Sequence, residues 1–156
     1  MTCKKIGKHN DRFIFIEEVE NLRHIETNYS SESAILLWLG NEDWKKEEFI
    51  DVVEKMVKKE VIAICVTGKR VDEQFDLLIS TQGPISTKKH TMTYMFDEKN
   101  IENVLENLFW VVITDGERWD SWKNYLIICV ADQIISDKIK KLIKEKWDNN
   151  AQEVLK

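Results

Sequence analysis

A single proline, Pro84, and five glycines serve 156 residues. So few chain-breaking residues argue against a disordered chain, a loop-rich β-sandwich or a collagen-like repeat. Cysteine is also sparse. Cys3, Cys65 and Cys129 are odd in number and widely spaced, with no CxxC and no Cys/His pair at zinc spacing. No metal site and no cofactor is therefore expected. No window approaches 18 consecutive apolar residues, so no membrane span is expected. The first nine residues lack the apolar core of a signal peptide, and a reduced, cytoplasmic setting is the expectation.

What is present is an ordinary globular balance, 43% hydrophobic and 33% charged, with a net charge of −5 and a pI near 5.3. A chain of this size buries enough surface to need no staple. Its charge repels DNA and anionic membranes unless basic residues segregate, and their order shows no basic face, so neither is expected as a partner. Two acidic stretches, Glu17-Glu18-Val19-Glu20 and Glu42-Asp43, read either as solvated surface or as a face that meets a basic partner.

Five apolar runs read as strands: residues 12–16, 34–39, 61–66, 91–96 and 125–130. Three of them, 34–39, 61–66 and 125–130, are apolar without alternation, as in parallel strands covered on both faces. Cys65 and Cys129 lie inside such runs and read as core. The run 91–96 alternates and is expected near an edge.

Helical periodicity follows the strands. Residues 44–58 present Phe49, Val52, Val53, Met56 and Val57 on one face, with Asn41 or Asp43 as the expected cap. Residues 71–82 repeat the pattern until Gly83-Pro84 stops it. Asp97 is expected to cap a helix with Ile101, Val104, Leu105 and Leu108 inward. Trp110 to Ile113 reads either as a separate strand or as the end of that helix. With no turn residue after Leu108, one helix from 98 to about 114 is the reading. A last helix is expected over 134–147, and a short one within 18–28.

Alternating strands and helices predict a single α/β domain over residues 11–148, between tails at 1–10 and 149–156. About five mostly parallel strands carry helices on both faces. The arrangement resembles the three-layer Rossmann-like and flavodoxin-like architectures, a resemblance that carries no functional residues.

Ligands of open α/β sheets bind outside the carboxyl ends of the strands. Gly40, Asp43, Gly68, Lys69, Arg70, Asp97 and Asp132 fall there and are the candidate ligand-binding set. Thr67-Gly68-Lys69-Arg70 leads into a helix N-terminus, where free N–H groups and two cations can hold an anion. It lacks the spaced glycines of a phosphate loop, so a plain strand–helix turn is the other reading. Asp97, Glu98 and Asp132 would suit a magnesium ion if adjacent strand ends gathered them, and caps and first-turn acids if not. His9, His24 and His90 have no spaced partner, no nucleophile elbow occurs, and no catalytic residue is assigned.

The residues 115–123, Asp-Gly-Glu-Arg-Trp-Asp-Ser-Trp-Lys, interleave aromatics with charge. Large rings anchor interfaces and acids add specificity, so Glu117, Trp119, Asp120 and Trp122 are the candidate partner-binding set. The alternative is that both rings fold over the core as a lid. The expected function is a small acidic binding protein that associates with another, basic protein, as toxin-neutralising or regulatory partners do. The Lys-, Ile-, Asn- and Glu-rich usage suits a bacterial or phage source. The alternative is an enzyme or sensor that binds a nucleotide or small anion on the strand-end rim.

Overall fold

The computed structural model describes residues 3–25, 30–97 and 99–148. The sequence-predicted tail 149–156, Glu98 and part of the first connection lie outside the described residues. Six strands form one sheet: β1 Cys3–His9, β2 Arg12–Val19, β3 Ser33–Leu39, β4 Ala63–Gly68, β5 Met92–Met95 and β6 Asn124–Val130. Their order is β1-β2-β6-β3-β4-β5. All neighbours are parallel except β1 and β2. The helices are α1 Lys46–Lys58, α2 Val71–Gln82, α3 Ile101–Trp110, the single turn α4 Gly116–Trp119 and α5 Gln133–Leu142. A 3₁₀ turn, Leu22–His24, follows β2, and a π-helical turn, Ile143–Trp147, prolongs α5.

Side chains alternate across a strand, and here both faces are covered. Ile35, Leu37 and Leu39 of β3 belong to a core with Phe49, Val53 and Met56 of α1 and Leu78 of α2. Ala34, Leu36 and Trp38 belong to the opposite core, with Val104, Leu105 and Leu108 of α3 and Ile139 of α5. β5 takes one edge of the sheet, where its alternation put it. Trp110 ends α3 rather than opening a strand, and Val111 leaves the helix.

Three expectations are corrected. The strands number six, because residues 3–9, read as tail, form an edge strand antiparallel to β2. Asn10 and Asp11 close that hairpin with φ of 52° and 61°, the two positive angles of a type I′ turn. Gly7 lets the strand meet the chain beyond α5, since a Cβ there would lie 2.9 Å from Asp148 Cγ. The Lys8 N–H donates to Asp148 Oδ1 at 3.1 Å, and His9 Nδ1 bonds the Trp147 carbonyl at 2.7 Å.

The other two corrections concern helix caps. Asn100 caps α3, its side chain accepting from the Glu102 N–H at 2.9 Å, because the helix begins at Ile101, too far on for Asp97. Lys45 occupies the N-cap of α1, without a side-chain bond, and the Asn41 amide bonds Asp43 instead of the helix. Among the described residues no helix is long and apolar enough to cross a membrane.

Candidate functional site

The carboxyl end of the sheet brings part of the predicted rim together. Asp132 caps α5, accepting from the Ile135 N–H at 3.0 Å. Gly40 packs against it so closely that a Cβ would stand 2.4 Å from Asp132 Cβ. Gly68 has φ of 95°, and a Cβ there would lie 2.2 Å from the Leu39 carbonyl oxygen. Both glycines therefore let loops approach one another. Asp97 follows β5, three strands from β6 and Asp132, roughly 14 Å at ordinary strand spacing. The two carboxylates do not share a site, and no group of three or more metal-ligating side chains occurs among the described residues.

Arg70 stacks its guanidinium 3.8 Å from the Trp44 ring centre. Its Nη1 donates to the carbonyls of Glu42 and Trp44 at 2.9 Å, and Nε and Nη2 grip both oxygens of Glu73. The fork is committed to holding the loop. The Lys69 carbonyl accepts from Trp44 Nε1 and Gln74 Nε2. Thr67 to Arg70 is thus a tightly bonded strand–helix turn.

Two open cavities lie over β2, β6 and β3. One, of about 320 Å³, is lined by residues including Glu20, Asn21, Asn41, Asp43 and Glu48. The other, of about 560 Å³, is lined by Glu18, Glu20, Ala131 and Asp132 among others. The chain leaves β6 toward the α5 face, while β2 and β3 leave toward the α1 face. This is the switch point at which open α/β sheets bind ligands. Its walls hold more acids than bases, Glu18, Glu20, Asp43, Glu48 and Asp132 against Arg23 and Lys45. Lys140 is paired with Glu18, and burial, which raises that carboxyl's pKa, is outweighed by bonds from Lys140, Ser136 and Gln133 that hold it below the usual value. The unpartnered oxygens Asn21 Oδ1, Asn41 Oδ1 and Glu48 Oε2 are shut off from solvent, so a ligand would reach them only after those side chains turned.

The predicted aromatic loop lies at the opposite, amino end of the sheet, and its members divide. Trp122 is core, 3% exposed, with its Nε1–H donating to the Asn124 carbonyl at 3.1 Å. Trp119 meets it edge-on at 5.6 Å and remains 47% exposed. Glu117 and Asp120 point to solvent. Between them Arg118 is buried, donating from Nη1 to the Val61 and His90 carbonyls at 3.2 and 2.8 Å. Its Nη2 donates to the carbonyls of Ser31 and Glu60. This residue ties the loop to the starts of three strands. Its charge pattern resembled that of any exposed arginine, so sequence alone did not single it out.

Beside the loop the end of α3 exposes Trp110 (67%), Val111 (49%) and Ile113 (54%). Trp110 and Ile113, with the hairpin residues Asn10, Asp11 and Arg12 and with Trp119, Trp122 and Tyr125, frame a cavity of about 430 Å³. Arg12 forms its base, 6% exposed, with its guanidinium 3.7 Å from the Trp122 ring centre and 5.0 Å from that of Trp119. Burial raises the Tyr125 pKa, against the opposing hydrogen bonds and charge of Asn10 and Arg12. Aromatic and aliphatic side chains thus meet a few polar groups, Asn10, Asp11 and Arg12, in one concavity, the make-up typical of ligand-binding clefts. Arg12, Trp110 and Ile113 were missed because only the hairpin and the end of α3 bring them to the loop.

No protein-family model, curated protein or solved structure matches this chain.

Proposed function

We propose that this chain is a small acidic cytoplasmic module that acts by binding another protein, in the manner of toxin-neutralising or regulatory partners, through the aromatic face at the amino end of its sheet. Helices on both faces favour the three-layer, Rossmann-like class. The five parallel strands, numbered among themselves, run 1-5-2-3-4, unlike the 2-1-3-4-5 order of flavodoxins. The observation that carries the reading is the clustering of three exposed large apolar side chains, Trp110, Ile113 and Trp119, around one cavity, with the exposed Val111 next to Trp110 in the chain. Scattered surface apolar residues need no explanation, but a contiguous group rimmed by charge marks an interaction surface. Asp11, Asp115, Glu117 and Asp120 are exposed near it and favour a basic partner.

The test is capture of partners by the immobilised chain at physiological salt. Trp110→Ser with Trp119→Ser should release what the wild type retains, with the circular dichroism unchanged. Equal retention by both proteins would overturn the reading.

The position of two cavities over the switch point favours a second reading, a small ligand at the carboxyl rim. The excess of acids over Arg23 and Lys45 in the walls and the committed Arg70 fork count against a nucleotide or other anion there. A nucleotide panel that raises the melting temperature by several degrees, with the shift lost in Lys69→Ala plus Arg70→Ala, would establish that alternative.

A further inference from the structure

Arg12 is a buried cation with no counter-ion among the described residues. It is 6% exposed, yet no carboxylate among the described residues forms an ion pair with it, although Asp11 is its neighbour in the chain. Its Nε donates to the Trp122 carbonyl at 3.1 Å, and its charge opposes the burial that raises the Tyr125 pKa. Otherwise its charge rests on the faces of Trp122, Trp119 and Tyr125, the last 5.9 Å away. Rings compensate a cation only partly, and a guanidinium retains a planar fork shaped for a carboxylate. That fork lines the cavity whose mouth carries the exposed rings.

We infer that the aromatic face recognises the apolar C-terminal residue of a partner protein, its α-carboxylate on Arg12 and its side chain against Trp110, Ile113 and Trp119. This rests on the proposed protein-binding function and specifies its partner. A terminal residue presents a carboxylate and an apolar side chain together, which matches a cavity with one cation beside exposed aromatic and aliphatic side chains. Asp11 and the acids at 115, 117 and 120 then face the residues upstream, which favours lysine or arginine there. Asp11 lines the same cavity and opposes the anion, so the pairing depends on the guanidinium being nearer the carboxylate.

The test is calorimetric titration of the intact protein with short synthetic peptides of sequence Lys-Lys-Gly-Phe, with the C-terminus free or amidated. A third peptide, Lys-Lys-Gly-Glu-Phe amide, offers a carboxylate only on a side chain. The free acid should bind about tenfold to a hundredfold more tightly than the simple amide, the range of a charge-assisted pair. The glutamate peptide should bind like the amide. Arg12→Gln should abolish the preference, and because the comparison of peptides uses the wild-type protein, the result stands even if that variant folds poorly. Equal binding of acid and amide, no binding of any peptide at millimolar concentration, or a preference for the glutamate peptide would overturn the carboxylate inference. The protein-binding reading would then still be decided by capture with the Trp110 and Trp119 variants.

Discussion

The two ends of the sheet are built differently. At the carboxyl end the loops are bonded to one another: Arg70 grips Glu73 and two carbonyls, Asp132 caps α5, and Gly40 and Gly68 let backbones close to contact. What stays open there is lined mainly by polar side chains with an excess of acids. At the amino end the bonds run beneath the surface, through Arg118 to four strand-end carbonyls, and the surface above is left apolar. Position in an α/β fold marks the carboxyl end as the usual ligand site. The distribution of exposed apolar surface marks the other end, and exposure costs stability, so it is the stronger sign of use.

The comparison breaks most severely where the carboxyl loops pack. Gly68→Ala places a Cβ against the Leu39 carbonyl and strains a positive φ, and should cost about 4 kcal/mol in denaturant unfolding. A loss below about 1 kcal/mol would mean the loops are looser than described. At the amino end, Arg118→Ala strands several buried carbonyls and should cost about 3 kcal/mol. It should also release the aromatic loop, seen as increased hydrogen exchange at 116–122. Trp119→Ala should cost about 2 kcal/mol of partner affinity while changing stability by under about 0.5 kcal/mol. Trp122→Ala, in the core, should show the reverse through unfolding.

Smaller effects sharpen the picture of the rim. Ala131 holds a φ of 59° directly after β6, a strained angle for a residue with a Cβ, and Ala131→Gly should stabilise by about 1 kcal/mol. Glu18 has a lowered pKa in the folded state, so its contribution is present above the ordinary value of 4.5 and disappears as pH falls through the lowered one. The stability difference between wild type and Glu18→Gln should therefore be under about 1 kcal/mol at neutral pH and vanish in acid. A difference that grew toward low pH would contradict the pairing with Lys140.

The strands with continuous apolar runs were legible because both their faces are buried. Ile35 and Leu36 serve different cores, and no polar position interrupts them. β1 was not legible. Lys4 and Lys5 are exposed at an edge, Gly7 interrupts the run, and its turn uses Asn10-Asp11 without glycine. Of the candidate surfaces, the loop 115–123 was visible through its aromatics, but the cavity was not. It needs Arg12 from a hairpin and Trp110 and Ile113 from the end of α3, distant in sequence and joined only by tertiary packing. The glycines at 40 and 68 were visible as punctuation. That they serve loop contact rather than a ligand depends on which neighbours stand beside them.

The central claim is that binding lives at the amino end. The most direct measurement compares one captured partner's affinity for three proteins: wild type, Trp110→Ser with Trp119→Ser, and Glu20→Gln with Asp43→Asn. The account predicts a loss of about thirtyfold or more for the tryptophan pair and no change for the rim pair. Loss confined to the rim pair would contradict it.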